Sequence, residues 1–138
     1  MTRTDEGGPR YEWRGSFTND EPNRQRARCF EHALGDADWW KQVDTFSLGW
    51  VCLRLQCELS GFVNVAWDGG AHAFLLDTMV DTPLRRKGHT RRLVEEAAVK
   101  ARASGCEWLH VDFEPHLRDF YLKACKFVAT DAGLIRLR

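Results

Sequence analysis

A strand pattern, a helix pattern and a second strand pattern follow one another over residues 73–114, and that order leaves few folds open. Two strands joined through a helix cannot close as a hairpin. The connection is long enough for a crossover, which makes the pair parallel. The chain before and after reads as antiparallel. The expected fold class is therefore α/β (α+β): an open mixed sheet, mostly antiparallel, with one central parallel strand pair and helices on both faces. At that junction the helix start is directed toward the carboxyl end of the preceding strand, the usual place for a ligand.

The other elements follow from local signals. LGWVCLRLQC (48–57) alternates, GFVNVAW (61–67) and AHAFLLDTMV (71–80) are apolar, and DGG between the last two is a hairpin turn. Upstream, YEWRGSF (11–17) can pair as a strand. Thr18 and Glu21 have capping-box spacing for a helix running to about Ala33 and ended by Gly35. DADWWKQVDTF starts a shorter helix at Asp36 or Asp38. Its Trp39 and Trp40 read either as core or as the wall of a substrate cleft, and Trp39 is kept as a substrate-binding candidate. From Gly88 to Ser104 an apolar face carries Leu93, Val94, Ala97, Ala98 and Ala101. WLHVDF (108–113) then reads as a strand, LRDFYLKAC as a short helix, and KFVAT-DAG-LIRLR as a closing hairpin. Residues 1–10 read as a flexible leader to a single domain over 11–138.

Charge and cysteine content narrow the function. Twenty basic and twenty acidic residues balance, so no overall field points to nucleic acid or an anionic membrane. No apolar run is long enough to span a bilayer, and the polar start resembles no signal peptide, so the expected location is cytoplasmic. Five cysteines in no paired framework are expected as reduced thiols. Cys106, His110, His116 and Cys125 crowd together, but their spacing fits no zinc pattern, and no metal is expected.

The crossover carries the strongest chemical signal. In DTPLRRKGHTRR three cations, Arg85, Arg86 and Lys87, stand where the helix macrodipole disfavours positive charge. A bound anion resolves the conflict. Amides at a helix start lack intrahelical partners, and Gly88 lets a phosphate approach those from about Arg86 to Arg91. An ordinary solvated basic loop is the plain alternative. Neither a Walker A loop nor a dinucleotide fingerprint is present, because Lys87 precedes a lone glycine.

VDTPLRRKGHT after a strand resembles the acetyl-CoA loop of the GNAT N-acetyltransferases, Q/R-x-x-G-x-G/A, with Arg85 at the first position and Gly88 at the central glycine. The resemblance runs through GFVNVAWDGG, FLLDTMV, CEWLHVDFE and FYLKACKF, over roughly residues 47–130. It implies acetyl-CoA as cosubstrate, held by Arg85, Arg86, Lys87, Gly88, His89, Thr90 and Arg91. It also implies a bulged strand that splays from its neighbour, so that Thr78, Met79 and Val80 offer backbone groups to pantetheine and an amide near Val80 polarises the thioester. Four features depart from the pattern. Thr90 replaces glycine or alanine, His89 an apolar residue, Lys126 a glycine, and the segment from Tyr121 to Phe127 is one residue longer.

The implied reaction moves an acetyl group from CoA to a primary amine, with Asp77 as base, directly or through water, and Tyr121 as the acid for the leaving thiolate. Tyr121 lies seven residues after Glu114, the family's separation. Strand alternation puts His110, Asp112 and Glu114 on one face, where they either line the amine pocket or satisfy one another. Glu114 and Asp112 are the rival bases. The expected partners are acetyl-CoA and a small amine, with the protein acting alone or as a homodimer. Two other readings stay open: a GNAT-like domain that binds CoA or a protein with little catalysis, and an enzyme acting on protein N-termini or lysines.

Overall fold

A computed structural model of the chain describes residues 8–138. Most of the expected leader, residues 1–7, lies outside the described residues. Strand β1 (Arg10–Trp13) is followed by helices α1 (Asp20–Phe30) and α2 (Trp39–Phe46). Strands β2 (Ser47–Leu55), β3 (Glu58–Trp67) and β4 (His72–Val80) come next, then helix α3 (His89–Ala103) and strand β5 (Trp108–His110). The sheet has the order β1-β2-β3-β4-β5. Its first three pairings are antiparallel and β4 with β5 is parallel, so the mixed sheet and its crossover are present as expected.

Local chemistry sets the boundaries. The Glu21 carboxylate accepts from the Thr18 amide at 3.0 Å, which is one arm of the capping box. Helix α1 stops at Phe30 because Glu31 takes the left-handed conformation, φ 53°, four residues before the expected Gly35. Asp38 caps α2 by accepting from the Lys41 amide at 3.1 Å. At the β3–β4 turn the Asp68 carboxylate accepts from Gly70 at 2.7 Å and His72 at 3.2 Å, while Gly69 supplies φ 82°.

Helices cover both faces, as the pattern required. Leu93, Val94, Ala97 and Ala101 of α3 bury against Val51, Leu53, Val63, Val65, Ala73 and Leu75. Each fully buried Leu or Val contributes about 1.5–3 kcal/mol, so this layer anchors the helix whose start faces the basic loop. On the other face Trp39 and Val43 of α2 pack with Trp50, Phe62 and Met79. Among the described residues no helix is long and apolar enough to cross a membrane.

Two expectations near the carboxyl end fail. The strand read over 108–113 stops at His110, and the closing hairpin does not form; Val128 and Leu137 are each 86% exposed. An isolated two-stranded hairpin is marginal in water, and the short β5, turning away from β4, offers little edge to extend.

Candidate active site

The site begins with a fault in β4. Phe62 pairs with Met79 and Asn64 with Leu76, so Val63 stands opposite two residues, Asp77 and Thr78. Asp77 adopts φ 56°, a left-handed conformation that costs an ordinary side chain roughly 1–2 kcal/mol. Across the other edge, β4 pairs with β5 only through His72, Ala73 and Phe74. Beyond Phe74 the two strands part, and β4 from Leu75 to Val80 has no ladder partner there among the described residues. Bulge and splay thus coincide on the strand that leads into the basic loop.

Asp77 is half-buried, and burial pushes its carboxyl above the ordinary aspartate value; a hydrogen bond from the Asn64 side chain and the charge of Arg26 oppose the rise. The Ser47 hydroxyl donates to Asn64 Oδ1 and so fixes that amide. Thr78 meets Tyr121, whose phenol is pushed up chiefly by burial and held down by its hydrogen bond to Thr78. Tyr121 is 5% exposed and stacks on Phe113 at 5.0 Å, with Phe120 and Phe127 set edge-on. Two adjacent residues at the bulge thus meet different partners, Asp77 the side of Asn64 and Arg26 and Thr78 the side of Tyr121.

The extra residue after Tyr121 is absorbed by a π-helical turn over Phe120–Ala124. The Cys125 amide donates to Phe120 O at 3.0 Å and the Phe127 amide to Tyr121 O at 3.0 Å. Lys126 sits at φ 63°, which explains why a glycine suits that position.

The basic loop forms as a short 3₁₀ turn, Thr82–Leu84, followed by Arg86 at φ 63° and Gly88 at φ 85°. Left-handed residues beside right-handed ones are the backbone pattern of concavities that can accept an anion. The first helical bond runs from the Arg92 amide to Gly88 O at 3.1 Å. Residues 85–88 form a turn, and among the described residues no close, well-aligned backbone hydrogen bond is donated by the amides from Arg86 to Arg91, while the side chains of Arg86 and Lys87 form no ion pair. Arg91 pairs with Glu95 at 3.2 Å. Arg85 turns back, donating from Nε to Val80 O at 3.1 Å, and ties the loop to the end of β4. His89 is also committed: its Nδ1 lies 2.8 Å from the Tyr11 hydroxyl, so it offers the loop its backbone alone. Thr90 is half-buried in the first turn.

The remaining candidates fall elsewhere. Trp39 is 2% exposed and its Nε1 donates to Asn23 Oδ1 at 2.9 Å, so it is core and does not wall a cleft; Trp40 is 39% exposed. With β5 ending at His110, strand alternation no longer groups His110, Asp112 and Glu114. His110 meets His72 at 2.7 Å and stacks on Phe74, away from the bulge. Asp112 is exposed but close enough to raise the Tyr121 phenol, and Glu114 is exposed just before a 3₁₀ turn at Pro115–Leu117. Met79 and Val80 are buried in opposite cores and contribute only backbone to the opening. Sequence reading missed Tyr11, Asn64 and Arg26, which lie on distant elements and carry no local motif. Arg26 also lines a cavity of ≈ 280 Å³ between α1 and the segment leading into α2.

Comparison with known proteins places this geometry. No curated protein sequence matches significantly. A probable acetyltransferase of unknown function from methicillin-resistant Staphylococcus aureus superposes with TM-score 0.79 at 15% identity, covering 95% of this chain and 99% of that one. A Trypanosoma brucei acetyltransferase gives 0.75 at 17% identity, covering 94% and 99%. The aminoglycoside N-acetyltransferase AAC(6')-Iy, solved in complex with CoA, gives 0.72 at 14% identity, covering 100% and 99%. At these identities the likeness is one of fold. The family model described as Acetyltransferase (GNAT) family matches residues 11–127, nearly the whole chain, and the protein belongs to that family.

Proposed function

We propose that this protein is an acetyl-CoA-dependent N-acetyltransferase whose acceptor is a primary amine, most simply that of a small molecule. The observation that carries the reading is the coincidence of bulge and splay at Asp77 and Thr78, directly upstream of a basic loop with left-handed Arg86 and Gly88 at a helix start. The residues fit the CoA group: the nest at Arg86–Arg91 suits a pyrophosphate, Arg86 and Lys87 supply countercharge, and the open edge of β4 suits an extended amide-bearing arm. When bound, acetyl-CoA supplies the thioester that the amine attacks.

Each residue then has one task. Asp77, with its proton affinity raised by burial, accepts the ammonium proton directly or through water. A backbone amide near Val80 donates to the thioester oxygen as negative charge develops there. As the new C–N bond forms and C–S breaks, Tyr121 gives its phenolic proton to sulfur and recovers one from solvent. The loop holds the nucleotide end and contributes orientation. The same reading takes residues 11–138 as one working domain in the cytoplasm, consistent with five free cysteines.

The test is thiol release from acetyl-CoA across a panel of primary amines, with calorimetry of CoA alone. Turnover that needs both acetyl-CoA and an amine supports the reading. Micromolar CoA binding with no release on any amine would replace it with a CoA-binding domain. Acetylation confined to peptide N-termini or lysines would move the acceptor to protein.

A further inference from the structure

Strand alternation gives the middle of the sheet two unlike faces. Val63, Val65, Ala73 and Leu75 bury under α3, so Asn64, Ala66, Phe74 and Leu76 lie on the face of α1 and α2. On that face α2 packs over Trp50, Phe62 and Met79. Asn64 is still buried, whereas its ladder partner Leu76 is 39% exposed, and Phe74, paired with Ala66, is 37% exposed. Large apolar groups side by side on an interior strand, not scattered singly, mark a surface that something covers.

The bulge fixes what lies beside this shelf. Counted forward from Leu75, Leu76 falls on the α1–α2 face; counted back from Met79, which packs on that same face, so does Asp77. Leu76 and Asp77 are therefore consecutive in the chain and neighbours on one face, with Cα atoms about 3.8 Å apart. The far end of the shelf is braced. The His110 ring stacks on Phe74 with centroids 4.7 Å apart and 17° between planes, and His110 Nε2 lies 2.7 Å from His72 Nδ1. At the near end Phe46 closes α2 and is 70% exposed, one residue before the Ser47 whose hydroxyl donates to Asn64. A carboxylate thus stands at the edge of an apolar shelf whose aromatic part is held in place.

Building on the acetyltransferase reading, we propose that the acceptor is an amine joined to an apolar ring by a short alkyl linker: the ring lies on Leu76 and Phe74, and the ammonium meets Asp77. The two parts of such a molecule match the two parts of the surface, cation to carboxylate and ring to apolar shelf. The span also fits, because Phe74 lies about 7 Å from Leu76 along the strand and Asp77 is the next residue. An amino sugar is the poorer fit, since its hydroxyls would lose water over Leu76 and Phe74 without gaining partners.

The experiment compares 2-phenylethylamine with 2-methoxyethylamine, and 3-phenylpropylamine with 3-methoxypropylamine, by thiol release from acetyl-CoA. The members of each pair are primary amines of similar basicity, so the ratio reads the body of the molecule and not its amine. The expected kcat/KM is at least about 10-fold higher for the ring-bearing member of the better pair, less than a phenyl ring gains on full burial because the shelf covers one side of it. In Phe74→Thr and in Leu76→Thr that ratio should fall toward one, through a raised KM for the ring-bearing amine, while Phe74→Leu keeps part of it. Melting and CoA calorimetry of the variants establish that they fold. Equal or better use of the methoxy amine by the parent, or a ring preference that survives both Phe74→Thr and Leu76→Thr, overturns the proposal. A parent that sediments as a dimer, and whose Phe74→Thr variant sediments as a monomer, gives the face to a second copy of the chain and overturns it too. Turnover of polar amines or peptides but of no ring-bearing amine overturns it while leaving the acetyltransferase reading intact. CoA binding with no turnover of any amine removes both.

Discussion

Replacing Tyr121 with phenylalanine separates catalysis from packing, because the structure sets the two costs apart. The ring is retained, with its stack on Phe113 and its edge contacts to Phe120 and Phe127. What is lost is the hydroxyl beside Thr78. A single hydrogen bond there is worth at most about 1 kcal/mol, which lowers the melting temperature by no more than roughly 3–5 °C in a domain of this size. Loss of general-acid help is worth ~100-fold in kcat, about 2.7 kcal/mol. A 100-fold loss with a melting shift of only a few degrees is therefore chemical. Stopped assays of thiol release should show kcat falling by that factor while KM for acetyl-CoA stays nearly constant. With a thioester of a more acidic thiol the loss should shrink. Burial raises the Tyr121 phenol above its ordinary 10.0, so it stays protonated and adds no alkaline limb to the rate below that pH. A Tyr121→Phe enzyme that turns over like its parent would refute the assignment.

Four further outcomes follow from the geometry. Gly88→Glu sets a carboxylate in the amide nest and should weaken CoA binding by more than ~10-fold in calorimetry, whereas Gly88→Ala, which meets only the φ 85° strain, should mainly lower stability by about 1 kcal/mol. In Asp77→Asn the rate should fall most at low pH and recover partly as the amine itself deprotonates. Because burial raises Asp77, its ionised form costs the folded state stability; the same variant should melt higher at neutral pH, with the gain vanishing in acid. Lys126→Gly should raise stability by about 1 kcal/mol by relieving φ 63°, and a lower melting temperature would show that the Lys126 side chain contributes a contact. Arg54→Ala breaks the bidentate pair with Glu21 and the bonds to Ser16 O and Cys57 O, at a cost of about 3 kcal/mol. Arg54 holds Glu21 below its ordinary 4.5, so in the parent this stabilisation is full above that pH and lost as pH falls through the depressed value; acid titration of the two melting curves should converge there.

The site was legible in sequence wherever its logic is local. Proline, cations and a single glycine before an amphipathic run mark the turn that leads into α3, and Asp38 and Asp68 announce a cap and a turn through bonds made within four residues. Helices on both faces followed from the apolar spacing. What escaped depends on how strands diverge. WLHVDF alternates like a strand, yet only three of its residues pair, because the gap that opens beyond Phe74 removes its partner. That loss dissolved the expected face of His110, Asp112 and Glu114. Trp39 reads in sequence as core ahead of cleft wall, and its burial and its indole bond to Asn23 bear out the core. Arg26, Asn64 and Tyr11 matter through tertiary contact, and nothing beside them in sequence marks them.

The bond between Tyr11 and His89 has a consequence for how the protein matures. It joins residues 78 positions apart, from the outermost strand to the first turn of α3. Strands β2, β3 and β4 are neighbours in both sequence and space, and such short-range pairings form early. Closing the long span comes at a greater entropic cost, so the clasp on the helix start is a late event in folding. During synthesis at roughly 5–20 residues per second, the amide nest leaves the ribosome only after the meander that must support it. Under the proposed function, competence to grip CoA is thus acquired near the end of assembly, because the helix that carries the grip is also the layer that covers this face of the sheet.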